Sequence, residues 1–421
     1  MIRDMRAITA ACVAVALVLT KAQAQATGGV PRFDHVVVVI EENHAYSQII
    51  GSPAASYINS LAAGGALMTQ SHALTHPSQP NYIALFSGST QGVTTDSVYP
   101  HSQFTAPNLG SKLLSAGFTF SGFSETMPSV GFDGASAGTA PAEYRRKHNP
   151  WVNWQDAGVP LPANKLPPAV NLPYAGYFPA ATAYDTLPTL SIVVPNQLDD
   201  MHDGTVAQGD AWLQANLSAY AAWCGSHNSL LVLTFDEDDG SAGNHIVTIF
   251  LGANVVPGQY SQTIDHYNVL RTLENMYSLQ HDAGSVAAAP ITNIWDPASV
   301  VWTDLGNALA GVSGPPHLAV QGAITANTAT TFKVSNAATS ALGVLVLSPT
   351  NISLPIFGGV LVPNTDVLRT VLTDGAGRAQ LSFPWPAVVP SGVSVYGQAW
   401  VLDAAAVQGV AATNAVATRT P

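Results

Sequence analysis

The sequence predicts an α/β fold, with helices covering a mostly parallel sheet, followed by a small all-β sandwich. Three observations predict it. Short β-branched runs, apolar along their whole length, alternate with helical periodicity over the first three quarters of the chain. Hydrophobic residues make up 47% of the 421 residues and charged ones only 10%, enough apolar material for a large core and too little charge for a disordered chain. The texture then changes near "GVSGPPHL" (311–318), after which charge nearly vanishes.

The strand readings come first. "HVVVVI" (35–40), "LSIVV" (190–194), "LLVLTF" (230–235) and "IVTIFL" (246–251) are apolar at every position, as strands buried on both faces are. Between them, "ASYINSLAA" (55–63), "DAWLQANLSAYAAW" (210–223) and "YNVLRTLENMYSL" (267–279) place apolar residues three and four apart. That alternation is the signature of helices packed on a sheet. Residues 126–188 break it. They are rich in Pro, Gly and Ala, with "EYRRKHNPW" (143–151) the one strongly charged cluster, and read as a long insertion or lid. After the break, "TTFKVSNA", "ALGVLVLS", "AQLSFPWP" and "SVYGQAWVLD" read as strands punctuated by "DGAG" (374–377) and "PSG" (390–392).

The expected organisation is therefore a signal peptide over 1–26, an α/β domain over 27–312 and a β-sandwich appendage over 313–421. The first segment carries Arg3 and Arg6, the apolar "AITAACVAVALVLT" and small residues around Ala24 and Ala26, the pattern of a cleaved secretory signal. Its removal takes away three cations and one anion, so the formal charge moves from −12 to −14. It also removes Cys12, leaving Cys224 alone and no intramolecular disulfide. The expected location is secreted or periplasmic, with no membrane span after signal removal. So acidic a chain is a poor partner for nucleic acid, and any anion site in it must be locally positive.

Two acidic clusters directly follow predicted strands: Glu41, Glu42, Asn43 and His44 after the first, and Asp236, Glu237, Asp238 and Asp239 after the third. Ligands of open α/β sheets gather at the carboxyl ends of strands, and carboxylates brought together there repel unless a hard cation neutralises them. Between them lies "ALTHPSQPNYIALFSGST" (73–90). Pro80 suits a first helical turn, which sets Ser78 at a helix N-terminus, where N–H groups favour phosphate. An N-cap serine has the same local pattern. His202 in "DDMHDG" also lies beyond a strand end, and acidic neighbours favour its protonated, proton-donating form. His148 sits in the cationic insertion and His266 opens a helix.

Taken together, Glu42-Asn43, Ser78-x-Pro-Asn81, "RKHNP", "MHDG" and "TFDEDDG" resemble the phosphoesterase family of bacterial acid phosphatases and phospholipases C, related in fold to the alkaline phosphatase superfamily. The likeness is strongest to secreted acid phosphatases of the mycobacterial type and spans roughly residues 33–280. It implies a three-layer α/β/α sandwich and a metal-assisted serine nucleophile. It also implies that Glu42, Asn43, Asp236 and Glu237, with Ser78, hold a divalent metal ion whose identity, Mg²⁺, Ca²⁺ or Mn²⁺, stays open. Ser78 matches the nucleophile. Tyr82 stands where phospholipase C relatives commonly carry arginine.

The expected activity is phosphate monoester hydrolysis through a phosphoserine. His202 protonates the leaving group, and Asn81, His148 and His266 contact substrate, a small phosphate ester or phospholipid head group. Histidines in protonated form suit an acidic optimum. Two alternatives stay open: a phospholipase C acting on diesters, and a secreted calcium-binding adhesive protein without catalysis.

Overall fold

The computed structural model describes residues 30–420 except 297–301, 322, 323, 325, 328, 388 and 391. The expected signal peptide lies outside the described residues. Ten strands and six α-helices build the described residues from 30 to 276. In order they are β1 (His35–Glu41), α1 (Tyr46–Ile49), α2 (Ser56–Gly64), β2 (Ala66–His72), α3 (Ser78–Ser87), α4 (Leu109–Ser115), β3 (Phe120–Ser124), β4 (Ser136–Thr139) and β5 (Ala142–Arg145). There follow β6 (Asn171–Pro173), β7 (Leu190–Val194), α5 (Val206–Cys224), β8 (Ser229–Phe235), β9 (His245–Leu251), β10 (Gly258–Asp265) and α6 (His266–Met276).

Eight of these strands form one sheet in the order β10-β2-β9-β8-β1-β7-β3-β6. Its pairs are parallel except those of β9, which runs antiparallel to both β2 and β8. The strand reading of 246–251 thus holds, within an antiparallel pairing. β1 is central, and its side chains alternate between two cores. Val36, Val38 and Ile40 join Ile83 and Phe86 of α3 and Val269, Leu270 and Leu273 of α6. Val37 and Val39 join Ile58 and Leu61 of α2 and Leu213 and Leu217 of α5. The result is a three-layer α/β/α sandwich.

The helices on the second face are fastened by caps. Thr205 and Gln208 form a reciprocal box at the start of α5, Thr205 N–H donating to Gln208 Oε1 at 2.9 Å. Helix α2 has no capping side chain of its own. Asp210 of α5 supplies one, accepting from the N–H groups of Tyr57 at 2.9 Å and Ile58 at 2.8 Å.

The insertion is more ordered than its composition predicts. It holds the β4–β5 hairpin, single 3₁₀ turns at Arg146–His148 and Pro150–Trp154, and the edge strand β6. Trp151 and Trp154 are buried in the first core, and Trp151 Nε1 donates to Asn171 Oδ1 at 2.8 Å. Two large indoles, not helical or strand periodicity, fix this segment.

The last part is all antiparallel: a six-stranded sheet, a three-stranded sheet and a short hairpin around a separate apolar core. Its first strand, Thr303–Gly306, pairs with Ala415–Arg419 and so lies ahead of the break read from sequence. "TDLG" is too short and polar to announce a strand. Two ion pairs tie this part to the chain just before β1: Arg32 to Asp304 at 3.0 Å and Lys333 to Asp34 at 3.1 Å.

Gly122, in the middle of β3, lets the Trp151 ring lie on the sheet. A Cβ there would sit 2.0 Å from a ring atom. Gly122→Ala is expected to destabilise the fold by about 1–3 kcal/mol through overpacking. Urea denaturation followed by tryptophan fluorescence measures it, and an unchanged midpoint would contradict this packing.

Candidate active site

Three neighbouring parallel strands, β7, β1 and β8, end on the same edge of the sheet. Their exits are stitched together by backbone hydrogen bonds: Glu42 N–H to Asp200 O at 2.8 Å, and Asp236 N–H to Glu41 O at 3.0 Å. Acids following all three strands therefore converge. Consecutive residues of an extended chain point to opposite faces, which separates Glu41 from Glu42. Glu41 is buried with no hydrogen-bond partner for either carboxyl oxygen among the described residues. Burial, then Asp199 and Glu125, push its pKa well above the usual carboxyl range.

Ser78 opens α3 and is buried. Its Oγ lies 3.0 Å from Glu42 Oε2 and 3.1 Å from Glu237 Oε1. One hydroxyl proton thus faces two carboxylate acceptors carried by different strands. Glu237 Oε2 in turn accepts from Asn81 Nδ2 at 3.2 Å and from His76 Nδ1 at 2.9 Å. His76 reaches Asp238 through its other nitrogen at 3.2 Å. Asp238 itself accepts the N–H groups of Gly240, Ala242 and Asn244, so it shapes the turn after β8.

On the other side of Glu42 stands a compact donor set. Glu42, His148 and Asp200 each offer one ligand atom, all within 4.8 Å of one another and all buried. His148 Nε2 is 3.1 Å from Glu42 Oε1, and its Nδ1 is 3.2 Å from Asp200 Oδ2. Nε2, Oε1 and Oδ2 nevertheless have no hydrogen-bond partner among the described residues, nor has Asp236 Oδ2 beside them. Buried polar atoms left without partners, on an imidazole and carboxylates, fit a divalent cation.

The trio differs from the expected ligand set, sharing only Glu42 with it. Asp200 is the residue that sequence reading passed over. Its signal was present: it follows a strand, as Glu42 and Asp236 do, but five residues of loop intervene and His202 drew attention instead. Asn43 adopts φ 53°, a left-handed conformation that asparagine tolerates, and its N–H donates to Asp236 Oδ1 at 3.3 Å. Its visible contribution is to hold the two strand ends together.

The three expected substrate contacts, His148, His266 and Asn81, are each engaged by protein partners. His148 is buried, faced by two carboxylates, and its ring stacks on Tyr82 with centroids 5.3 Å apart. Burial, then the charges of Lys147 and His202, hold its pKa well below the usual imidazole value. His266 is buried at the start of α6, and its Nε2 donates to the Asp236 carbonyl at 2.7 Å. Burial lowers its pKa too. It braces the end of β8. Asn81 commits its amide to Glu237, to Thr75 O, and to the N–H groups of Leu74 and Thr75, so it organises the turn before α3. His202 remains half-exposed at the rim, its Nδ1 2.8 Å from Asp203 Oδ1 and its ring 5.9 Å from that of His148.

A model of the phosphoesterase family matches residues 52–280, more than half of the chain. The chain belongs to the phosphoesterase family. Over 270 residues it is 52% identical to the phosphatidylinositol-3-phosphatase of Mycobacterium tuberculosis, covering 64% of this chain and 85% of that protein. An acid phosphatase of Aspergillus fumigatus is 30% identical over 236 residues, 52% of this chain and 50% of the fungal one. This chain thus spans half the length of that fungal relative. A solved alkaline phosphatase superfamily protein from Vibrio parahaemolyticus is 12% identical, with 85% and 83% of the two chains covered and a TM-score of 0.42, too remote to carry argument. With relatives named as phosphatases, the enzyme class is that of a phosphoric monoester hydrolase. No helix among the described residues is long and apolar enough to cross a membrane.

The electrostatics of this phosphoesterase follow from packing acids together. Burial raises Glu42 to about 7, against the opposing pull of Lys147. Burial raises Glu237 likewise to about 7, with Ser78 pulling the other way. Asp200 and Asp236 are pushed well above the usual carboxyl range, by burial first and by Glu42 next. These groups bind protons more tightly folded than unfolded. Without a cation, that contribution to stability is complete below the unfolded carboxyl range and is lost as pH rises through about 7. The chelated protein is therefore expected to lose melting temperature between about pH 4.5 and 7. An added divalent cation should remove that slope and bind more tightly as pH rises. Scanning calorimetry with and without chelator tests this. A chelated protein that grows more stable over the window would contradict the burial account.

Proposed function

We propose that this chain is a secreted acid phosphatase that hydrolyses phosphate monoesters through a phosphoserine on Ser78. The observation that carries the reading is the Ser78 hydroxyl, buried at a helix N-terminus and aimed at two carboxylates. A plain N-cap serine bonds its own helix; this one does not. A calcium scaffold would have no use for such a hydroxyl.

Glu42, His148 and Asp200, with Asp236 beside them, would hold the divalent cation. When bound, the cation would supply charge neutralisation and favour the ionised form of a nearby hydroxyl. The chain's own residues do the rest. Ser78 Oγ attacks phosphorus as the ester P–O bond breaks, and its proton passes to the Glu42 or Glu237 carboxylate. His202, the half-exposed imidazole at the rim, gives a proton to the departing alcohol oxygen, a contribution of typically ~10²–10⁴-fold. Asp203 on its Nδ1 fixes which nitrogen faces substrate. Water then attacks the phosphoserine, restoring the Ser78 hydroxyl and releasing inorganic phosphate. Positioning and charge neutralisation are the main requirements of phosphoryl transfer, and this site is built for both.

The name of the 52% identical relative makes a 3-phosphoinositide the first natural substrate to try. Secretion is supported by the basic, apolar and small-residue pattern of residues 1–26.

Ser78→Ala is expected to abolish release of p-nitrophenol from its phosphate ester while leaving the melting temperature within a few degrees. Turnover near that of the unsubstituted chain would remove Ser78 as nucleophile. His202→Asn is expected to slow alkyl phosphates far more than p-nitrophenyl phosphate, whose leaving group needs no proton. Equal losses on both would remove His202 as the general acid.

A further inference from the structure

The site collects carboxylates, yet its substrate is an anion. Something besides the cation site must meet the phosphoryl oxygens, and the charged run Arg145-Arg146-Lys147 is the nearest source of permanent positive charge. Its three members are held differently. Arg145 pairs with Glu143 at 2.7 Å and reaches Gln197. Arg146 is buried against Asp133 at 3.0 Å and His101 at 3.1 Å. Lys147 alone turns toward α3. Its Nζ lies 2.8 Å from Asp96 Oδ2, and Asp96 Oδ1 accepts the Gln79 N–H at 3.0 Å. Gln79 follows Ser78. It is itself pinned through its side-chain amide to the carbonyls of Thr95 and Ser97, both at 2.9 Å.

Lys147 is thus tied to the first turn of α3 through one intervening carboxylate, and it precedes His148 in the same 3₁₀ turn. An ammonium has three N–H donors. Asp96 takes one, and the other two have no protein partner among the described residues. The side chain is largely covered, with 15% of its surface exposed, so the ammonium is held at the wall of the site and not free in solvent. Burial works against its charge, while Glu42, Asp96 and Asp236 hold it protonated.

We propose that Lys147 is a substrate-binding residue whose two remaining N–H groups contact non-bridging oxygens of the phosphoryl group at Ser78, with Asp96 as its positioning residue. This assignment rests on the reading of Ser78 as nucleophile. It uses the lysine as a fixed positive point charge, the role lysine plays well at phosphate. It also explains why the turn at 95–97 is bolted to α3 by three hydrogen bonds: the bolts fix the distance from Lys147 to Ser78.

The test uses the full chain carrying Lys147→Met, Lys147→Gln or Asp96→Asn. Three quantities are read: kcat/KM on p-nitrophenyl phosphate, competitive inhibition by inorganic phosphate, and calorimetric binding of phosphate to each variant combined with Ser78→Ala. Lys147→Met and Lys147→Gln are expected to lose on the order of 10²-fold in kcat/KM, as loss of one transition-state donor does, and to weaken phosphate binding at least about tenfold. Asp96→Asn should lose less, because the charge stays in place. The glutamine variant keeps a donor for Asp96 without the charge, so it separates a structural clamp from a phosphate contact and serves if the methionine variant fails to fold. A folded lysine variant that binds inorganic phosphate as tightly as the unsubstituted chain overturns the assignment. So does loss in Asp96→Asn equal to that in Lys147→Gln with phosphate affinity unchanged, the mark of a clamp. A Ser78 chain that neither hydrolyses the ester nor binds phosphate overturns the reading of the site itself, an outcome distinct from either.

Discussion

The constraint on which this structure depends is the mutual repulsion of carboxyl groups buried at one sheet edge. Glu42, Asp200, Asp236 and Glu237 are each less than a tenth exposed. Carboxylates confined in a poorly solvated space cannot all ionise unless opposite charge is supplied. The surroundings answer that demand piece by piece. The Ser78 hydroxyl bridges two of the acids, His76 links Glu237 to Asp238, and Lys147 brings a fixed positive charge. The unpartnered atoms of Glu42, His148, Asp200 and Asp236 leave room for a cation to complete the balance. A stability-optimised core would replace this cluster with leucine; retaining it is the expense of chemistry.

How much of this was legible beforehand depended on how each residue reaches the site. Glu42, Asp236 and Glu237 follow strands whose apolar runs are unmistakable, and Ser78 precedes a helix marked by Pro80. Their convergence could be read because parallel strands deliver their carboxyl ends to one edge. Asp200 and His148 arrive differently. Asp200 closes the loop after β7, just before Met201, a buried residue with φ 77°, and no periodicity announces such a turn. His148 comes from the insertion, whose order rests on Trp151 and Trp154 packing into a core built by distant residues. Helix α3 is itself buried all round, so it carries no amphipathic stripe. The alternation of β1 explains another distinction that clustering in sequence conceals: Glu41 and Glu42 are neighbours in the chain and on opposite faces of the sheet.

The C-terminal strands stand apart from this chemistry. Arg32 and Asp34, their partners through Asp304 and Lys333, precede β1, whereas Glu42 follows it. Seven residues of extended chain separate the two ends by about 20 Å. The β-rich part therefore braces the amino edge of the sheet, at the opposite end of β1 from the buried acids. Its contribution at this junction is to the stability of β1, the strand that positions Glu42 and is paired on both sides.

On the proposed reading, an acidic working range would set a further demand on a site that held its cation through imidazole, because protons compete with a cation for the same lone pair. An exposed histidine would surrender that competition near its ordinary pKa of about 6.5. His148 is placed so that it does not. Burial opposes its protonation most strongly, and the positive charges of Lys147 and His202 oppose it further. Its lone pair thus stays available well below the pH at which a surface imidazole would be charged. The half-exposed His202, by contrast, keeps contact with solvent and with the Asp203 carboxylate. Two histidines with rings 5.9 Å apart thus sit in different surroundings, His148 buried between Glu42 and Asp200 and His202 half-exposed beside Asp203.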